Sequence, residues 1–195
     1  LLDRQQYSDP DGLAERAGIS SASWPLFGLV WPSARILAGI VQTLPVTGRR
    51  ILEIGCGLGL ASLVMQRRAA DITASDRHPM AAAFMAENLR LNQLSGIDFQ
   101  TGSWSDTDST LGTFDLIVGS DVLYERDLPG MLAGFIDRHS RPVVEVIIID
   151  PDRANRSAFN REMDGLGYRH EATRAVSHQE SGEPYKGRVL RYRRG

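Results

Sequence analysis

The chain is poor in the residues that make cross-links, metal centres and one-signed charge. Its 195 residues include one cysteine, Cys56, which excludes an internal disulfide and a cysteine-cluster zinc site. The four histidines, His78, His139, His170 and His178, show no ligand spacing, so no metal site is expected and all four read as surface or satisfied side chains. There is one lysine, Lys186, against 21 arginines. Arginine keeps its proton at neutral pH, so lysine-type base chemistry would rest on that single position. Neither sign of charge is in excess: 22 basic and 24 acidic residues give a formal net charge of −2. That balance argues against a generic nucleic-acid binder, whose domain is usually strongly basic. No apolar run approaches the roughly 20 residues of a membrane helix; the longest, Val143 to Ile149, is interrupted by Glu145. The chain opens at Leu1, with no signal-peptide pattern, and carries no internal repeat or low-complexity segment. What remains is one globular domain, expected to be cytoplasmic and monomeric, of a size that buries roughly 70% of its unfolded surface.

From about residue 50, short β-rich runs alternate with helical patterns. Arg50 to Ile54 reads as a buried strand, Leu58 to Ala69 as a helix, and Asp71 to Ser75 as a second strand. Pro79 opens a helix to about Leu91, with Asn92 as a left-handed stop. Ile97 to Gln100 and Phe114 to Gly119 are further strands, and Leu128 to Arg138 a helix. Val143 to Ile149, rich in β-branched residues, reads as a central strand covered on both faces. Arg153 to Leu166 follows as a helix, then Tyr168 to Val176 and Arg188 to Tyr192 as two closing strands. The βαβ rhythm predicts an α/β fold: a doubly wound, mostly parallel sheet with helices on both faces and one antiparallel strand from the final hairpin. Upstream, residues 1–45 read as an N-terminal extension with a helix over Ser33 to Thr43, packed on a domain of residues 46–195.

Glu53-Ile54-Gly55-Cys56-Gly57-Leu58-Gly59 lies where the first strand turns into the first helix. Glycines there permit a tight turn and let a ligand approach backbone N–H groups at a helix N-terminus. Asp76 follows the second strand, 21 residues after Gly55, where a carboxylate can accept hydrogen bonds from ribose hydroxyls. As a bland alternative, Asp76 is a helix N-terminal charge ahead of Pro79. Dinucleotides and S-adenosylmethionine both suit such a loop. The dinucleotide pattern Gly-x-Gly-x-x-Gly meets Leu60 or Ser62 at its third position. A short-chain reductase also needs Tyr-x-x-x-Lys, but the residue four before Lys186 is Gly182.

The E-I-G-C-G-L-G run resembles motif I of class I S-adenosylmethionine-dependent methyltransferases, a Rossmann-like fold of seven strands whose last is antiparallel. The resemblance covers about residues 24 to 192. It implies that Gly55, Cys56, Gly57 and Gly59 lie against the methionine part of the cofactor. Glu53 would sit near its amino group or order the loop, Asp76 would bind the ribose, and Arg77 and Ser120 would complete the set. Methyl transfer from a sulfonium needs no covalent intermediate, so Cys56 is a loop residue and not a nucleophile.

In a doubly wound sheet the chemistry lies outside the carboxyl ends of the strands. After the fourth strand come Asp121-Val122-Leu123-Tyr124, and one helical turn would bring Asp121 and Tyr124 to one side. This Asp-x-x-Tyr resembles the signature of seven-β-strand protein lysine methyltransferases. Trp31-Pro32-Ser33-Ala34 and Ser103-Trp104 resemble two further motifs of that group, which place Trp31 at the cofactor's methionine end and Trp104 beside adenine. The group carries Asp where this chain has Ser103. Arg4 to Asp9 and Trp24 to Phe27 also resemble a bacterial nicotinamide N-methylase-like branch. Asp150-Pro151-Asp152-Arg153 resembles a segment of the relatives that methylate the β subunit of electron transfer flavoprotein; it reads equally as a strand-to-helix turn capped by Asp152.

An amine acceptor suits these residues. A carboxylate at Asp121 would stabilise the ammonium that develops as the methyl moves, and Tyr124 would add cation–π attraction. A helix cap at Asp121 and a half-buried core ring at Tyr124 are the plain alternatives. The expected activity is transfer of methyl from S-adenosylmethionine to an amine, leaving S-adenosylhomocysteine, with a protein lysine as acceptor and no nucleic-acid or membrane partner. A small nicotinamide-like amine, a nucleotide-binding reductase and an inactive cofactor-binding protein are the rivals. Arg188, Arg191, Arg193 and Arg194 read as a solvated edge strand, or as a dock for an acidic protein.

Overall fold

Along the central strands apolar side chains alternate between two faces, and that alternation builds two cores around one sheet. The computed structural model of the chain describes residues 5–21, 24–108, 110–175 and 185–195. Its strands are β1 (Arg50–Ile54), β2 (Asp71–Asp76), β3 (Asp98–Thr101), β4 (Phe114–Ser120), β5 (Ser140–Asp150), β6 (Arg169–Arg174) and β7 (Arg188–Arg194). They form one sheet in the order β3-β2-β1-β4-β5-β7-β6. All pairings are parallel except those of β7, which runs antiparallel to both β5 and β6. The doubly wound sheet and its antiparallel last strand are therefore as expected.

The helices are α1 (Leu13–Arg16), α2 (Trp24–Phe27), α3 (Pro32–Val41), α4 (Leu60–Arg67), α5 (Ala81–Leu91), α6 (Leu128–Arg138) and α7 (Arg156–Gly165). Ile51, Leu116, Val118, Ile147 and Ile149 meet Leu37 and Val41 of α3 and Ala61 and Met65 of α4 on one face. Leu52, Ile117, Val146 and Ile148 meet Leu132 and Ile136 of α6 and Phe159 and Met163 of α7 on the other. Strands buried on both faces need such apolar runs, and β5 supplies the longest. α3 packs on the sheet, contributing fully buried side chains to the same core as β1. No helix among the described residues is long and apolar enough to cross a membrane.

Four local expectations are corrected. Asn92 is not left-handed (φ −93°); Gln93 is (φ 55°), and the Leu94 N–H reaches the Leu89 carbonyl to close the helix. Asp152 does not cap α7, whose N-cap is Asn155; it accepts from Arg188 and pairs with Arg156 instead. The arginines of β7 are not a solvated edge, since β7 lies between β5 and the exposed strand β6. Arg191 and Arg193 converge with Arg49 on Glu145, while Arg194 pairs with Asp137 and covers the Tyr168 ring. Those guanidiniums hold the Glu145 carboxyl below its ordinary range against the opposing effect of burial. Finally, His78 and His139 are buried, each with an Nε2 lacking a partner. Val176 and the connecting residues 177–184, including His178, lie outside the described residues, as does Arg4.

Candidate active site

The strand order reverses between β1 and β4, and the crevice at such a reversal is where open α/β sheets bind ligands. A cavity of about 470 Å³ lies there. Its floor is the β1–α4 loop. Gly55 has φ 56°, and a Cβ added to it would come within 3.0 Å of Val122 and 3.5 Å of the Trp104 ring. A Cβ at Gly59 would strike Met85. The loop thus lies flat against its neighbours and presents bare backbone to the cavity.

Two buried carboxylates hold this loop. Glu53, 2% exposed, accepts hydrogen bonds from the Ser62 N–H at 2.8 Å and from the Ser62 hydroxyl. Burial pushes its carboxyl up to about 7, against those two bonds. It does not line the cavity, so of the two roles open to it the structure favours ordering the loop over touching a cofactor. Asp76 does line the cavity. Its Oδ2 accepts the Gly57 N–H and its Oδ1 the His78 N–H, both at 2.8 Å. Burial raises this carboxyl above its usual range although both N–H groups pull it down. Each oxygen retains a lone pair for a diol.

The cavity also gathers Trp31, Cys56, Leu58, Arg77, Trp104 and Ser120. Arg77 faces the mouth, where its Nη2 lies 3.3 Å from Glu125 and 3.5 Å from the Tyr124 hydroxyl. Asp121 and Tyr124 are both present, but not by way of a helical turn. Asp121 continues the ladder by donating its N–H to the Ile149 carbonyl at 2.8 Å, then turns left-handed at φ 56°. The chain beyond it is irregular and is tied down by Asn155, whose side-chain amide donates to the Leu123 and Glu125 carbonyls, each at 2.9 Å. A helix cap is therefore not the role of Asp121.

Sequence reasoning names Arg153 and Phe27 only within longer segments and does not find the contacts they make. Arg153 donates through Nε to Asp121 Oδ1 at 2.6 Å, a pairing across 32 residues that no local pattern marks. Phe27 stacks on the His78 ring at 3.8 Å and 7°, and burial lowers that imidazole to about 4. Leu26, Leu29, Val30 and Met131 complete an apolar rim; the apolar Leu-x-x-Leu-Val run before Trp31 signals the first three, and Met131 comes from α6. The loop, the Asp76 carboxylate and the apolar walls fit a nucleoside joined to a small zwitterion. No cluster of metal-ligating side chains occurs among the described residues.

A family model described as lysine methyltransferase matches residues 25–163. The electron transfer flavoprotein beta subunit lysine methyltransferase of Xenopus laevis is 30% identical over 138 residues, covering 69% of this chain and 55% of that protein. The calmodulin-lysine N-methyltransferase of Arabidopsis thaliana is 27% identical over 155 residues, covering 72% and 51%. The chain thus spans about half the length of these curated relatives. Magnesium protoporphyrin IX methyltransferase from Synechocystis, solved with bound S-adenosylmethionine, superposes with a TM-score of 0.66 over 100% of this chain and 90% of that one. At 14% identity that likeness shows the fold alone.

Proposed function

The chain belongs to the lysine methyltransferase family, and from that membership we propose that it methylates an amine, the side chain of a lysine in a protein, at the expense of S-adenosylmethionine. The observation that carries the reading is that Asp121 and Tyr124 share one cavity with the glycine loop and Asp76. The loop backbone and Ser120 would hold the methionine end, Asp76 the ribose, and Trp104 the base. When bound, the cofactor offers a methyl carbon on a sulfonium; an amine lone pair takes it while sulfur keeps the bonding electrons and positive charge passes to nitrogen.

The chain's own groups are suited to that charge shift. Oδ2 of Asp121, without a hydrogen-bond partner among the described residues, would accept an amine N–H and stabilise the ammonium as it forms. The Tyr124 face would add cation–π attraction of about 0.5–2 kcal/mol, more as water is excluded. The exposed apolar rim of Leu26, Leu29, Val30, Trp31 and Met131 would shed its water against a bound cofactor and acceptor. We extend the proposal to a monomer acting in the cytoplasm, on the composition alone.

Incubation with methyl-labelled S-adenosylmethionine and a protein extract from the source organism tests the reading. Methylated lysine in acid hydrolysates of the protein fraction is the expected result. Label confined to small molecules would assign a nicotinamide-like amine instead. No transfer, with S-adenosylhomocysteine still raising the melting temperature, would leave a binding protein.

A further inference from the structure

The acceptor end of the cavity holds more charge than the reaction needs. Asp121 Oδ1 is taken by the Arg153 guanidinium at 2.6 Å, while Oδ2 has no hydrogen-bond partner among the described residues. Arg153 lines the cavity and is itself held from below, since its N–H donates to Oδ1 of the buried Asp150 at 2.8 Å. The neighbouring groups are Arg156 and Tyr185 beside Asp150 and Arg153, with Tyr124, Glu125, Arg77 and Asp76 across the cavity. Asp121 is thus set against Arg153 and Glu125 against Arg77, while Arg156 pairs with Asp152. The charge on these two pairs is balanced, and Asp76, which also lines the cavity, accepts the Gly57 and His78 N–H groups.

That balance bears on the acceptor, given the amine reading above on which this inference rests. A lysine amine ionises at about 10.4, and only its neutral form has a lone pair to give. A bare carboxylate within about 4–6 Å would favour the ammonium and hold the amine unreactive. We propose that Arg153 sets the protonation of the acceptor: its guanidinium weakens, without abolishing, the pull of Asp121 on a bound ammonium, so the amine releases a proton to bulk water on the enzyme, while Asp121 Oδ2 takes an N–H of the neutral amine and keeps enough charge to stabilise the ammonium that forms on methyl transfer. Arg153 is in this sense a positioning and tuning residue that acts through Asp121. The geometry supports the role, because both residues are anchored through their backbone N–H groups, Asp121 to the Ile149 carbonyl and Arg153 to Asp150.

R153Q and R153K test it with two readouts. The first is binding of n-butylamine, the aliphatic end of a lysine, followed by NMR in the presence of S-adenosylhomocysteine. At pH 7 R153Q should bind the ammonium several-fold more tightly than the wild type, and R153K should not. The second is the pH profile of label transfer to extract protein. R153Q should lose roughly tenfold at pH 7 and regain it at alkaline pH, the profile moving up by about one unit, and R153K should lie near the wild type. Stabilisation by S-adenosylhomocysteine should be the same in all three, which also shows that each is folded. Equal butylamine binding, or none in any protein, together with an unshifted R153Q profile overturns the proposal and leaves the amine reading intact. Loss of S-adenosylhomocysteine binding in R153Q reassigns Arg153 to the cofactor and overturns it as well. Absence of transfer by the wild type at every pH overturns both.

Discussion

Asp76 holds the Gly57 N–H through Oδ2 at 2.8 Å, so the carboxylate suited to the ribose also sets the shape of the loop beside it. Structure and binding should therefore fail together there. Asp76→Ala leaves the Gly57 and His78 N–H groups without their acceptor, which costs about 1–3 kcal/mol of stability. It also removes the diol acceptors, each worth a similar amount, so affinity for S-adenosylhomocysteine should fall at least tenfold. Thermal shifts measured with and without S-adenosylhomocysteine check both effects. A variant that binds normally would sink the ribose role.

Asp121 separates chemistry from binding. Asp121→Asn keeps the shape but loses the charge that faces both Arg153 and the acceptor. Turnover should fall by about 10²–10³, the scale for one lost electrostatic stabiliser. S-adenosylhomocysteine should bind as before. Tyr124→Phe, which keeps the ring, should lose less than Tyr124→Ala if the cation–π contact matters more than the hydroxyl. Near-normal turnover in a folded Asp121→Asn protein would return Asp121 to a purely structural role.

Glu53 should give stability an unusual slope. Burial holds its folded-state pKa near 7, whereas in the unfolded chain it ionises near the ordinary 4.5. The native state therefore binds more protons between these values, and stability falls as pH rises through that window, then levels off. The contribution is on the order of 3 kcal/mol. Glu53→Gln keeps an oxygen for the Ser62 N–H and cannot ionise. The difference between wild-type and variant stability in urea should narrow or reverse from pH 4.5 to 7, and parallel curves would contradict the buried acid.

His78 should slope the other way. Its folded-state pKa near 4 lies below the ordinary 6.5, so its contribution is complete above about 6.5 and is lost as pH falls toward 4. Phe27 covers the ring. Phe27→Ala should admit water to His78, and NMR titration of the ring protons should show its pKa rising toward 6.5. The variant should also lose about 1 kcal/mol of aromatic contact and expose the segment before Trp31 to proteases. An unchanged titration would show that other groups bury the imidazole.

Local pattern in the sequence determined the elements and the loop. Ile51 and Leu52, or Ile147 and Ile148, alternate between two apolar surroundings because a strand's side chains have a period of two, and that period is readable before any folding. The same holds for the Gly55–Gly59 turn, for Asp76 at the end of the second strand, and for the order of strands and helices. Tertiary structure alone decided which charges meet. Arg191 and Arg193 look exposed in a terminal arginine-rich strand, yet they lie on Glu145 because β7 inserts between β5 and β6. Asp121 and Tyr124 look like one face of a helix, yet Asp121 turns left-handed and meets Arg153 from 32 residues away. These ion pairs and the Phe27–His78 stack carry no sequence period; they form where the fold brings distant segments together.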